Sequence, residues 1–493
     1  MATTYTNEQL VELELQARNL AAPGALVPLL PPKSSTRGTL LDLALGSSTR
    51  SPFGASKHSD WKVDTFVVPA AFPRSLKSGT TSTSNPKGSA SQPSGAPATT
   101  GRIDASQAFH DLAVNQLHGL RGGKVSIADQ QELREQEQLF LAVNRYVNRA
   151  AAPSKAAPLL TLVFAHANGF HKETWEPVIS DLLDSWDSTL MPIGEIWCLD
   201  AVNQGDSAVL NEAVLGTTFD WSDHGRDIAN FLISYLPDPL SASSTSSISL
   251  PYISTPQNTT LLALDNLSVS PGASYPTRRI FRNRLIVGIG HSLGGGGMAF
   301  AATAQPSLFS SIILCDPVLP PPGADRIMSA LTKGACVRKE TWVSKQDAKE
   351  GFLKKAFFRG WNPRSLDLYV ELATKHVVDK DGKKHVALKC RAKDEALVFG
   401  DLTAGAARRA AGRLALLPST LPVHFIFAEK GSVVPPSPDR ENLLGLIPLA
   451  THFTIPGSGH LIVQERPTET AMAIGQQLRK VYGSKGLWGV PKL

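Results

Sequence analysis

From residue 159 onward, short apolar runs alternate with stretches whose apolar residues recur every three or four positions. That alternation predicts repeated strand–helix units around a parallel sheet. Strands are expected at Leu159–Ala165, Glu195–Leu199, Arg284–Gly288, Ser311–Cys315 and Val423–Ala428. These runs are apolar throughout rather than alternating, which suits strands covered on both faces. Two stretches break the rhythm: a Ser/Thr/Pro-rich insert at 237–280, and 318–421, which is richer in helical pattern and in charge.

The first 150 residues follow a different plan. Thr6 and Gln9 make a capping-box pattern, and Leu10, Leu13 and Ala17 share a face, so a helix is expected within residues 1–22. Residues 23–60 are Pro/Ser/Gly-rich and are expected to be irregular. Lys62–Val68 predicts a strand, stopped by Pro69 and Pro73, and Ser75–Thr100 is a low-complexity loop. Asp129 and Glu132 open a predicted helix near 129–148, in which Leu133, Phe140, Val143 and Val147 recur at helical spacing. The resulting division is an N-terminal extension (1–150), a core (151–317 and 422–493) and a cap or lid (318–421). No internal repeat is present.

Composition narrows the function classes. Apolar residues are 42% and charged residues 19% of 493, against about 25% charged in an ordinary globular chain. A chain of this length buries a large core without staples. The formal charge is +6. Between Asp325 and Glu395 stand 17 Lys/Arg and 10 Asp/Glu, a net of +7, so the excess sits in the cap. Such a basic stretch is either a solvated face or a rim that draws anionic substrates, a partner or a membrane surface. No aromatic–basic motif points to nucleic acid. Cys198, Cys315, Cys336 and Cys390 fit no metal spacing and are too few for a disulfide scaffold, which favours a reducing compartment. The Asn-x-Ser/Thr sites at Asn258 and Asn266 are then accidental. No apolar run is long enough for a transmembrane helix. The N-terminus lacks the basic start and continuous apolar run of a secretory signal.

Three segments carry chemistry. The first is Arg284-Leu-Ile-Val-Gly-Ile-Gly-His-Ser-Leu-Gly, an apolar strand that runs into Gly290-His291-Ser292-Leu293-Gly294 and then a small-residue helix. This is G-x-S-x-G between a strand and a helix. It puts Ser292 on a strained turn, where a Cβ at Gly290 or Gly294 would clash with neighbouring strand or helix. A dinucleotide fingerprint fails because Leu293 stands where its third glycine belongs, and no Gly-Lys-Ser/Thr phosphate loop is present. The second is the strand ending in His166-Ala-Asn-Gly-Phe170, whose loop is placed to add a backbone donor to that of Leu293 for an oxyanion. Phe170 is the expected second donor, by its main chain. His166 is expected to brace this loop rather than act as a base. In the third, a short strand at Phe453 leads through Gly457-Ser-Gly-His460 into an amphipathic helix. His460 is the expected base for Ser292, since imidazole suits neutral pH. Two acids compete to orient it: Asp316 after one strand and Glu429 after the next, with Asp316 preferred.

These segments resemble the α/β-hydrolase superfamily over roughly residues 159–480, the insert excepted. Asp200-Ala-Val-Asn-Gln-Gly-Asp-Ser207 is similar to the family's Asp-x-x-Gly-x-Gly-x-Ser turn, and Phe219-Asp-Trp221 with Asp227-Ile228 to the helix before the nucleophile strand. HANGFHKETWEP (166–177) and a cap pattern that includes Arg338–Ser344, Trp361–Arg364, Val386–Cys390 and Asp394–Ala396 look like the fungal branch with the yeast peroxisomal lipase and toxin-biosynthesis hydrolases. The usual acid position falls near Gly431, where glycine cannot serve, which adds weight to Asp316.

The resemblance implies an α/β-hydrolase fold: a mostly parallel central sheet flanked by helices, with a helical cap insertion. It implies a serine hydrolase that cleaves an ester, thioester or lactone through Ser292, His460 and Asp316, with Leu293 and Phe170 as oxyanion donors. An acyltransferase on the same residues and a non-catalytic binding protein are the alternatives. No cofactor and no metal are expected. The expected ligand is a small, apolar acyl substrate, with Phe352, Phe357, Phe358 and Trp361 as pocket lining or cap core. Nucleic acid is not an expected partner, and the oligomeric state is not defined. Pro491-Lys492-Leu493 is similar to the Ser-Lys-Leu address, which with the cysteines points to a peroxisomal or cytoplasmic location.

Overall fold

A computed structural model describes residues 26–33, 52–53, 58, 60–81, 105–148, 158–187, 191–237, 249–253, 281, 284–319, 325–400, 406–434, 436, 438–447 and 450–483. The predicted helix in residues 1–22, most of the 75–100 and 237–280 loops, Asn258, Asn266 and the last three residues lie outside them.

The strands are β1 (Trp61–Pro69), β2 (Phe140–Asn148), β3 (Leu159–Ala165), β4 (Ile193–Leu199), β5 (Arg284–His291), β6 (Ser311–Cys315), β7 (Thr341–Trp342), β8 (Thr374–Val378), β9 (Lys384–Leu388), β10 (Val423–Ala428) and β11 (Thr451–Ile455). Eight of them form one sheet in the order β1-β2-β4-β3-β5-β6-β10-β11. β3 to β11 within this sheet pair in parallel, while β1 and β2 form an antiparallel edge. All residues of β3, β4, β5, β6 and β10 are buried, as their unbroken apolar runs require.

The helices are α1 (Ala105–Arg121), α2 (Gln130–Glu135), α3 (Glu176–Ser185), α4 (Gly205–Asn211), α5 (Trp221–Ser234), α6 (Leu293–Ala304), α7 (Asp325–Cys336), α8 (Lys345–Leu353), α9 (Ala356–Arg359), α10 (Pro363–Leu372), α11 (Ala392–Phe399), α12 (Ala406–Arg413), α13 (Asp439–Gly445), α14 (Ile462–Glu465) and α15 (Pro467–Tyr482). Two apolar clusters cover the two faces of the sheet. One gathers α5 and α6, with Trp221, Phe231, Met298 and Phe300; the other gathers α3 and α15, with Trp175, Val178, Ile474 and Leu478.

Three expectations are corrected. The helix predicted over 129–148 is only the short α2, followed by β2. Its start was read correctly: the Asp129 side chain accepts hydrogen bonds from Gln131 N and Glu132 N. The spacing of Phe140, Val143 and Val147 misled because residues 140–144 are buried on both faces, so alternate-face burial does not show in the pattern. Register with Trp61–Pro69 fixes the segment as a strand. Consequently the sheet begins at Trp61, inside the stretch expected to be an extension. Finally, the cap is not all helical: β7, β9 and β8 make a small antiparallel sheet among α7 to α11. Val398, Ala410 and Leu414, from α11, α12 and the turn after it, pack in the main core.

Candidate active site

Every candidate residue sits where a parallel strand ends, at one edge of the sheet. Such carboxyl-end crevices are where open α/β sheets collect ligands.

At the end of β5 the chain reverses through Ser292 (φ 55°, ψ −114°) into α6. A non-glycine residue at positive φ stores strain and persists only where its surroundings hold it. Here they do. Ser292 N donates to Cys315 O at 3.1 Å, and Ser292 O accepts from Gly296 N and Val318 N, both at 3.1 Å. A Cβ on Gly290 would lie 2.3 Å from Gly294 O, and one on Gly294 would lie 2.2 Å from Ala165 O. The glycines thus let the turn close between α6 and the end of β3, as the motif predicted. Leu293 is the first residue of α6, where N–H groups lack intrahelical partners and the helix end is partially positive.

His460 reaches Ser292 from the loop after β11. Its Nε2 lies 2.9 Å from Ser292 Oγ, and its Nδ1 lies 2.5 Å from Asp316 Oδ2. Because Asp316 accepts at Nδ1, the proton sits there and leaves Nε2 free to accept from the hydroxyl. Asp316 follows β6 at φ 36° and is buried. Its Oδ1 accepts from Ala428 N at 2.9 Å and Ser432 Oγ at 2.7 Å. Burial pushes this carboxyl up, but the bonds from His460, Ala428 and Ser432 outweigh it and hold it below the ordinary carboxylate range. Glu429, the competing acid, is exposed and accepts from Gly457 N at 3.0 Å. It steadies the loop that carries His460 and makes no bond to the ring.

The loop after β3 is tied to this turn by Gly294 N, which donates to His166 O at 3.0 Å. His166 is fully buried, with Nδ1 2.8 Å from Ala167 O and Nε2 accepting from Ala201 N at 3.2 Å. Burial pushes its pKa down to about 3, so the ring is neutral and braces the loop. Gly169 N is taken by Gln204 Oε1 at 2.8 Å. Phe170 N makes only a long turn bond to Ala167 O, 3.3 Å.

A cavity of about 590 Å³ opens over Ser292 and His460. The aromatic residues singled out in the sequence, Phe352, Phe357, Phe358 and Trp361, all line it. Phe352 and Trp361 also belong to the buried cap cluster with Phe170 and Tyr369, so pocket wall and cap core are here one structure.

Several contributors were not legible in the sequence. His291 is fully buried beside Ser292, and its Nε2 donates to His460 O at 3.0 Å. Ser432 bonds Asp316, and Tyr369 Oη donates to Gly169 O at 3.3 Å. These partners lie far apart in the chain, and no local pattern links them.

Comparison with known proteins bears on the family and the fold. The type I acyl-CoA thioesterase mpaH of Penicillium brevicompactum is 25% identical over 239 residues, 48% of this chain and 44% of that protein. The peroxisomal membrane protein LPX1 of Saccharomyces cerevisiae is 30% identical over 166 residues, 34% of this chain and 33% of that protein. The chain therefore matches less than half the length of these relatives. The solved peroxisomal alpha-beta-hydrolase Lpx1 of the same yeast superposes with a TM-score of 0.57 at 20% identity, over 88% of this chain and 93% of that one, and shares the fold. Residues 162–473, from β3 into α15, match the model of the alpha/beta hydrolase family, and the chain belongs to that family.

Proposed function

We propose that the protein is a serine hydrolase that cleaves an ester or thioester of an apolar acyl group, with a lactone as the cyclic case. The observation that carries this reading is the 2.9 Å contact between Ser292 Oγ and His460 Nε2, with Asp316 on the far side of the ring. Ser292 Oγ attacks the acyl carbonyl while His460 Nε2 takes its proton. The same nitrogen then gives that proton to the departing oxygen or sulfur. Water enters, loses a proton to His460, and attacks the acyl-serine; the returning proton regenerates Ser292. Asp316 keeps the imidazole in the correct tautomer and steadies its positive charge.

Leu293 N–H and Phe170 N–H are the proposed oxyanion donors. Phe170 N–H must exchange its long bond to Ala167 O for the substrate oxygen. Loss of one such donor costs about 10²–10³ in rate. The aromatic cavity supports an apolar acyl group, and the acyl-CoA thioesterase among the relatives supports thioesters within the class. A peroxisomal location is proposed alongside, on the description of the yeast relative.

The test is labelling with a fluorophosphonate probe, followed by turnover of p-nitrophenyl esters and acyl thioesters of increasing chain length. Wild-type labelling that disappears in Ser292→Ala supports the hydrolase. Absence of labelling between pH 6 and 9 favours a binding protein on the same fold. Imaging of a fluorescent fusion checks the location.

A further inference from the structure

We propose that the cap docks on anionic lipid bilayers through the turn Lys354–Arg359 at the mouth of the cavity. This goes beyond the hydrolase reading and does not depend on it.

The rim of the cavity combines two features that do not satisfy each other. Phe357 and Leu331 line the cavity, yet are 58% and 42% exposed. Large apolar side chains left open in this way stand out on a surface when they cluster around a recess. Lys339 and Lys355 line the cavity with them, Lys354 and Arg359 lie in the same turn as Phe357, and all four are exposed. Lys354 and Lys355 have no acidic partner among the described residues. Arg359 is folded back on the carbonyls of Leu353 and Lys354 at 3.1 and 2.9 Å, which holds the turn that presents Phe357.

Charge selects the partner. The stretch 325–395 carries a net +7 while the whole chain carries +6, so this one region holds all of the excess. An anionic bilayer meets both demands at once: headgroups take unpaired lysines without fixed geometry, and the acyl boundary takes the Phe357 ring. Among the described residues no helix is long and apolar enough to cross a membrane, so the attachment is peripheral. The docked face is also the mouth of the cavity that ends at Ser292, which would place acyl chains at its entrance.

The experiment is co-sedimentation of the full chain with phosphatidylcholine vesicles, with and without phosphatidylserine. Binding is expected only with phosphatidylserine and is expected to weaken with added salt. Lys354→Gln with Lys355→Gln should weaken it about 25-fold, at about fivefold per lysine. Phe357→Ser should weaken it about tenfold. The lysine pair is exposed, so those variants keep the thermal midpoint and remain informative even if Phe357→Ser unfolds. Ser292→Ala should bind as wild type does, which separates this proposal from catalysis. Equal binding to neutral vesicles, no binding to either, or an unaffected lysine double variant overturns it. So does full displacement by monomeric short-chain phosphatidylserine, because the site would then read a soluble anion and not a surface.

Discussion

Asp316 Oδ2 and His460 Nδ1 lie 2.5 Å apart although 144 residues separate them in the chain. Glu429, only 31 positions before His460 by number, points instead to the backbone of Gly457. The two acids end adjacent parallel strands, β6 and β10, and one strand's width decides which reaches the ring.

Two amide variants therefore differ in effect. Asp316→Asn should lower kcat by about 10⁴, the scale seen when the orienting acid of a serine triad becomes an amide. Glu429→Gln removes one loop hydrogen bond and should stay within about tenfold of wild type. Steady-state ester turnover compares them; collapse in the glutamine variant alone would reverse the assignment.

His291 holds the base by its main chain. Its Nε2–H donates to His460 O, and burial keeps the ring neutral by pushing its pKa down to about 3. His291→Leu leaves that carbonyl without its donor and should cost about 1–3 kcal/mol of stability. His291→Leu should also lower kcat/KM by loosening His460, and His291→Gln, which keeps an amide donor at similar reach, should recover most of both losses. Urea denaturation and the pH–rate profile of both variants provide the check.

Three buried histidines should make the fold less stable as pH falls below neutral. His166, His224 and His291 are fully buried, and burial first of all pushes them down to about 3, 4 and 3. Unfolded, each takes up a proton near its ordinary value of about 6.5. At these three sites the unfolded chain binds more protons below that pH, so their contribution is complete above about 6.5 and is lost as pH drops. The slope approaches about 1.4 kcal/mol per pH unit for each histidine. Asp316 adds a later loss: its depressed carboxyl contributes above about pH 4 and stops contributing as pH falls further. Urea midpoints at pH 8, 6 and 5 test this, and His224→Asn should flatten the first slope.

Lys172 is fully buried and paired with Glu173, Asp200 and Asp206. Burial works against its charge, but these three carboxylates raise its pKa well above the ordinary value. Asp206 also binds Lys389 of the cap at 2.6 Å. Lys172→Met strands buried carboxylates and should cost about 3–5 kcal/mol. Lys389→Met, at a partly exposed pair, should cost far less. Differential scanning calorimetry separates the two.

β2 carries polar side chains on positions that the fold buries. Asn144 Nδ2 donates to Glu173 Oε1 at 2.9 Å, and Tyr146 Oη to Glu176 Oε1 at 2.6 Å. Those partners turn polar positions inward and blur the period of two that marks a half-buried strand. The cap strands β8 and β9 were missed for a different reason. They are short, five residues each, and the polar residues Lys375, His376, Lys384 and His385 leave too few apolar positions to show a strand period.

What the sequence determined by itself was local: the apolar strands β3, β5, β6 and β10, the glycine-flanked turn at Ser292, and the histidine loop after β11. Each is dictated by steric and hydrophobic demands within a dozen residues. Only the tertiary structure decided that Asp316 faces His460, that His291 holds its carbonyl, and that Phe357 stands exposed at the cavity rim near Lys355. Those relationships depend on which strands lie side by side and how the cap seats on them, and sheet order is set by long-range burial that no short window of sequence contains.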